Sequence, residues 1–200
     1  MVGCGKLPAS KNIDVPFTSQ APSGNWSEPW KNACEETSVY MVSSFYSDDP
    51  IKRAEAIKRI KEIIATKNEE FNVSADESLE KISELIKLLG LPFTTEIVRN
   101  PSIEDIKKQL ANNQPIIAPV FAPALHYAEG GPDYHVMVIT GYDDKTNEFI
   151  VNDPAFKNGK GIRFNYDLFM KAIHDLNQKN YKAGEKALLF TKKEFGITWF

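Results

Sequence analysis

Cysteine is nearly missing from this chain: 200 residues carry two, Cys4 and Cys34. Two are too few for a disulfide framework. Histidine is also scarce, with three residues, and they are dispersed rather than set at metal-ligand spacing. No metal site and no cofactor is therefore expected. No apolar run approaches the ~20 residues of a membrane-spanning helix. No Gly-rich phosphate loop follows a strand and opens a helix, and no Ser sits in a nucleophile elbow. There is no strong excess of charge either. A formal net charge of −3 gives no general attraction to nucleic acid or to an anionic membrane surface. The one basic run, Lys52 to Lys67, alternates with apolar residues and reads as a solvated helix face. Length and composition suit one globular domain over residues 15–200, behind an N-terminal tail at 1–14.

The informative stretch is residues 15–46. Its first half is extended and rich in Pro, Gly and Trp; its second half turns helical just before Cys34. Val39, Val42 and Tyr46 recur at helical spacing, and Asn32 suits the N-cap. Cys34 is thereby placed in a first helical turn, where backbone N–H groups and the helix dipole favour a thiolate. Glu35 and Glu36 also suit a helix start, but would oppose a thiolate if they faced it. Trp26 and Trp30 can pack on this helix or line a cleft. Upstream, Gln20 offers an uncharged amide donor, suited to an oxyanion hole beside the Cys34 backbone N–H.

Further elements follow in order. Residues 50–68 form an amphipathic helix, and Ser74 to Glu77 form a capping box for a helix running to Leu89 before Gly90. A short strand over Phe93–Val98 is followed by a helix capped by Ser102 and Asp105. Strands are expected at Pro115–Phe121, Tyr134–Tyr142, Glu148–Asn152 and Lys186–Thr191, a loop at 155–164, and a helix at Asn165–Gln178. Helices first and hairpin-linked strands later argue for an α+β fold with a mostly antiparallel sheet. His135 begins the most strand-like of these stretches. With a helix-start Cys, a Gln and a following Asp, it is a candidate base whose other ring N–H must be held by a third group. His126 in the preceding loop, and His174 beside Asp175, rank below it.

Taken together, Gln20, Trp26–Trp30, Ala33–Ser38, Gly131–Asp144, Phe149–Pro154 and Ala172–Asn177 resemble the motifs of papain-like cysteine peptidases. The nearest type is the bacteriocin-processing (double-glycine leader) peptidase with its stand-alone bacterial relatives, and the likeness runs from about Val15 to Asn177. The resemblance implies peptide-bond hydrolysis by Cys34 and His135, with the helix carrying Cys34 packed on the sheet carrying His135. It points to Asp153 as the third member. Asn152 is the alternative, since related enzymes use Asn in this role. The relatives that cut after Gly-Gly leaders are fused to a transporter, so that substrate is not carried over. Acyl or amide transfer on the same site, or a non-catalytic peptide- or cell-wall-binding module, are the competing expectations. Val2-Gly3-Cys4 resembles the end of a bacterial lipoprotein signal. On that reading Cys4 carries a lipid anchor and the protein is extracytoplasmic; on the other, Cys4 is an incidental residue of the tail and the protein is cytoplasmic.

Overall fold

The computed structural model describes residues 6–72, 76–125 and 132–194. A seven-stranded sheet runs in the order β2-β7-β3-β4-β5-β6, with β1 paired to β4 off this path. The strands are β1 (Ser10–Asn12), β2 (Phe93–Arg99), β3 (Ile116–Phe121), β4 (Tyr134–Asp143), β5 (Glu148–Asn152), β6 (Ile162–Asn165) and β7 (Ala187–Lys193). Every pairing is antiparallel. Five helices accompany them among the described residues: α1 (Cys34–Ser47), α2 (Arg53–Phe71), α3 (Leu79–Leu88), α4 (Ile103–Ala111) and α5 (Tyr166–Ala172). The molecule is thus α+β with a mostly N-terminal helical part on an antiparallel sheet. No helix among the described residues is long and apolar enough to cross a membrane.

The centre of the fold is the packing of α1 on β4. Residues Tyr134 to Tyr142 of β4 are all buried, as their unbroken β-branched and aromatic run requires of a strand covered on both faces. The first nine residues of α1, Cys34 to Val42, are buried as well. This helix is therefore enclosed, and the polar side chains of its first turns need partners inside the protein. Thr37 Oγ1 donates to Ala33 O at 2.6 Å, and Ser38 Oγ donates to Val136 O on β4 at 3.2 Å. Asp48 ends the helix in the left-handed region (φ 57°), which an Asp tolerates better than most residues.

Several local expectations are corrected by tertiary contacts. Asn32 is not the N-cap of α1. It belongs to a 3-10 turn, Trp30–Asn32, its amide donates to Glu28 Oε1, and Ala33 takes the cap position without a side-chain bond. Helix α3 starts at Leu79, behind an extended Ser78, rather than after Ser74, which lies outside the described residues. Its first N–H, that of Leu79, is met by Asp175 Oδ1, and the Glu77 N–H just ahead of the helix by Glu35 Oε1. The box at Ser102 and Asp105, with no such competitor, forms as its spacing requires. Residues 162–164, expected as loop, and Asn165, expected to open the next helix, make edge strand β6, in which Ile162 and Phe164 pack on the core. The following helix stops at Ala172, because Ile173 turns extended and bridges Val120 of β3. Ser10–Asn12, expected in the tail, pairs with Gly141–Asp143. Lys67 leaves the solvated face: it is 2 % exposed and lies 2.6 Å from Glu36.

Candidate active site

Three chain segments meet around Cys34. The first is the loop carrying Gln20. Its backbone N–H donates to Pro154 O at 2.9 Å, and Ser19 Oγ reaches the same carbonyl at 3.2 Å. Gln20 Nε2 donates to both Trp30 O and Lys31 O, each at 2.9 Å. The loop is so sewn on one side to the segment after Asp153 and on the other to the turn that delivers Cys34. Both amide hydrogens are engaged, and the buried Oε1 meets no donor among the described residues. Trp30 is buried beside this turn, whereas Trp26 stands exposed. Trp26 lines a groove of about 600 Å³ with Ser19, Ala21, Arg53 and Lys157.

The second segment is the pair β4–β5. His135 is 1 % and Asp153 0 % exposed, and His135 Nε2 lies 2.7 Å from Asp153 Oδ1. The register explains the reach. Val138 pairs with Asn152, so Asp153 continues opposite Met137, whose side chain shares a face with that of His135, while Asn152 falls on the other face. Asp153 is fixed in turn by Ala155 N–H, which donates to Oδ1 at 2.9 Å, and by its own N–H to Gly159 O at 2.8 Å. A Cβ at Gly159 would collide with the Asp153 carbonyl, so this turn closes only over glycine. Asn152 is directed elsewhere: its amide donates to Val15 O and its Oδ1 accepts Gly161 N–H. Of the two neighbours, Asp153 is the one that reaches His135.

The third segment is the start of α1. Cys34 is its first residue and 4 % exposed. Its thiol donates to Glu35 Oε2 at 3.0 Å. The helix start does not give an easily ionised thiol. Burial first, then the charge and hydrogen bond of Glu35, then Asp76, push the Cys34 thiol well above its ordinary range. A hydrogen bond from the Val136 backbone acts in the opposite sense and ties the sulfur to the residue after His135. Glu35 itself is pushed up to about 8, by burial above all and then by Glu36 and Asp76, with Lys67 acting against them. Glu35 does face the thiol, and it opposes a thiolate whenever it is itself ionised. The closeness of Asp76 and Glu77 was hidden by their reading as part of a helix cap.

The remaining candidates lie apart. His174 Nδ1 is 3.1 Å from Ala172 O, its ring stands edge-on to Phe121, and burial lowers its pKa. Asp175 does not pair with it, accepting instead from Leu79 and Leu176 N–H. Cys4 and His126 lie outside the described residues.

Comparison with known proteins bears on the family and the fold. The model of the Peptidase_C39 like family matches residues 12–185. A solved C39-like peptidase from Bacillus anthracis superposes with a TM-score of 0.59 at 19% identity, over 92% of this chain and 99% of the other. Xylellain, a cysteine protease from Xylella fastidiosa, gives 0.51 at 14% identity, over 96% of this chain and 88% of its own. A search of curated proteins finds no match. At these identities the two structures speak for the fold, and the family model, spanning most of the sequence, speaks for descent: the chain belongs to the Peptidase_C39 like family and has the papain-like fold of the cysteine peptidases.

Proposed function

We propose that the protein is a thiol peptidase that hydrolyses peptide bonds, with Cys34 as nucleophile, His135 as acid and base, and Asp153 as the group that orients His135. The observation that supports this most is the buried His135–Asp153 pair at 2.7 Å, on the strand against which the Cys34 helix start is packed. A carboxylate on Nε2 fixes the ring tautomer and leaves Nδ1 to deal with the thiol. His135 takes the proton of Cys34, the thiolate attacks the acyl carbon, and His135 returns the proton to the leaving amine. Water, activated by the same imidazole, then releases the acyl group.

The oxyanion is received by the Cys34 backbone N–H and by Gln20. For this role one Gln20 amide hydrogen must leave a carbonyl. The bond to Lys31 O is the partly exposed one, so water can replace it there, while the bond to Trp30 O stays buried. A peptide is the substrate class that the family suggests.

The test is a screen against a proteome-derived peptide library with wild type and Cys34→Ala, with products identified by mass. Cleavage by the wild type that Cys34→Ala lacks is the expected result. Products carrying an added amine instead of water would assign acyl transfer. Turnover that survives Cys34→Ala would end the reading altogether.

A further inference from the structure

Glu35 is 1 % exposed, and its two carboxyl oxygens meet different partners. Oε1 accepts the Glu77 N–H at 3.0 Å; Oε2 lies 3.0 Å from Cys34 Sγ. An amide N–H can only donate, and a neutral carboxyl accepts best through its carbonyl oxygen. The Glu77 contact therefore assigns the carbonyl role to Oε1. Any proton the carboxyl carries sits on Oε2, and it turns onto the sulfur once the thiol, which donates to Oε2 at rest, has lost its own proton. Glu77 is held in place from its other side too, since the Tyr134 hydroxyl donates to Glu77 O at 3.0 Å.

We propose that Glu35 is a further catalytic residue, which works as a neutral carboxyl and donates its Oε2 proton to the Cys34 thiolate beside the Val136 N–H. The inference rests on Cys34 being the nucleophile. When His135 takes the thiol proton, the S–H bond breaks and its electron pair stays on sulfur. The proton ends on the imidazole, and the Glu35 proton never leaves its oxygen. Two donors then face the thiolate from inside the protein. They replace the water that burial has removed, which is the general condition for ionising a group in a dry site.

The neighbourhood keeps Glu35 neutral. Glu36 from α1 and Asp76 from the segment before α3 act with burial to hold the proton, while the hydrogen bond from the Cys34 thiol acts against them; the Glu77 N–H and, behind it, the Tyr134 hydroxyl of β4 complete the surroundings. Lys67 from α2 also opposes the two acids, but it lies 2.6 Å from Glu36. His135 acts on Asp76 within the same cluster. Burial is the largest single cause, and the carboxyl ionises only at about pH 8. Above that, Glu35 stops donating and its charge opposes the thiolate.

The experiment follows alkylation of Cys34 by iodoacetamide from pH 6 to 10, with the site read by mass, on wild type, Glu35→Ala and Glu35→Gln. Thermal unfolding of each variant is measured alongside. Glu35→Ala should slow alkylation at pH 7 by about tenfold or more, the effect of one lost hydrogen bond to a charged group. Glu35→Gln keeps an oxygen for Glu77 and an N–H for the sulfur, and cannot ionise. It should recover most of that loss, and its rate should go on rising above pH 8, where the wild type levels off. Should Glu35→Ala fail to fold, the comparison of Gln with wild type still decides. Glu35→Ala reacting as fast as wild type at pH 7 overturns the inference. So does Glu35→Gln following the wild-type profile above pH 8, or outpacing wild type at pH 6–7, which would mean a carboxylate opposing the thiolate. Peptidase activity surviving in Cys34→Ala is a different failure, and removes the reading beneath.

Discussion

Gln20 has two jobs that one substitution separates. Its amide closes the loop by two bonds, to Trp30 O and Lys31 O, and in the proposed reaction it donates to the developing oxyanion. Gln20→Ala should lower stability by about 1–3 kcal/mol, for two hydrogen bonds at roughly 1 kcal/mol each. It should also lower kcat by about 10²–10³ with KM within a few-fold, since the donor matters most to charge present only in the transition state. Urea unfolding and steady-state kinetics on one preparation give both numbers. A destabilised variant with full kcat would reduce Gln20 to a loop fastener. The same separation applies at residues 152 and 153. Asp153→Ala should cost rate, though less than His135→Ala, because an orienting group is more replaceable than the base itself. Asn152→Ala should cost stability and little rate, since its amide bridges Val15 O and Gly161 N–H away from the His135 ring. Rates in the opposite order would move the third role to Asn152.

Helix α1 does more than deliver a cysteine. Its first turn is buried with Cys34, Glu35 and Glu36 in succession, so the helix can start there only if tertiary partners accept its polar side chains. Lys67, from the far end of α2, is the partner of Glu36. Side chains 3% and 0% exposed make this a buried pair, and removing one member leaves an uncompensated charge. Lys67→Met should destabilise the protein by about 3–5 kcal/mol, measured by urea unfolding. Adding Glu36→Leu should return most of that loss, because an apolar pair of similar volume restores the packing. A double variant no better than Lys67→Met alone would show that Glu36 has other buried obligations. Burial of Lys67 could not be read from its sequence neighbours: Lys52 to Lys61 on the same helix alternate regularly with apolar residues, and only docking of α2 on α1 singles out the last lysine.

Across the whole molecule, several buried acids hold their protons more tightly than free carboxyls. Burial is the leading cause for each: Glu35 stands at about 8, Asp175 at about 6, and Asp76 and Glu77 are raised. A carboxyl whose folded pKa is raised binds more proton in the folded than in the unfolded state. Its contribution to stability is full below the unfolded value of about 4 and is lost as pH rises through the folded value. The protein should therefore be more resistant to urea at pH 5 than at pH 8, with a fall spread over that interval. Asp175→Asn offers the local check. The amide oxygen can still accept from Leu79 and Leu176 N–H, so this variant should raise the unfolding midpoint at pH 7 more than at pH 4. A gain equal at both pH values would mean that ionisation of Asp175 plays no part.

Local sequence was enough for the α+β class, the helix bearing Cys34, the strands of His135 and of Asn152, the capping box at Ser102 and the break at Gly90. Each rests on periodicity, propensity or turn chemistry, which act over a few residues. The tertiary structure decided the rest. It chose Asp153 over Asn152 beside His135 through the register of β4 and β5. It moved the start of α3, because Asp175 and Glu35 accept N–H groups that a local cap would have taken. It turned residues 162–165 into a strand by offering them the open edge of β5. Above all it buried the thiol against Glu35 and so raised a pKa that the helix start alone would lower. A dipole is a property of the helix alone, but burial and the facing charges come from α2, β4 and the segment before α3.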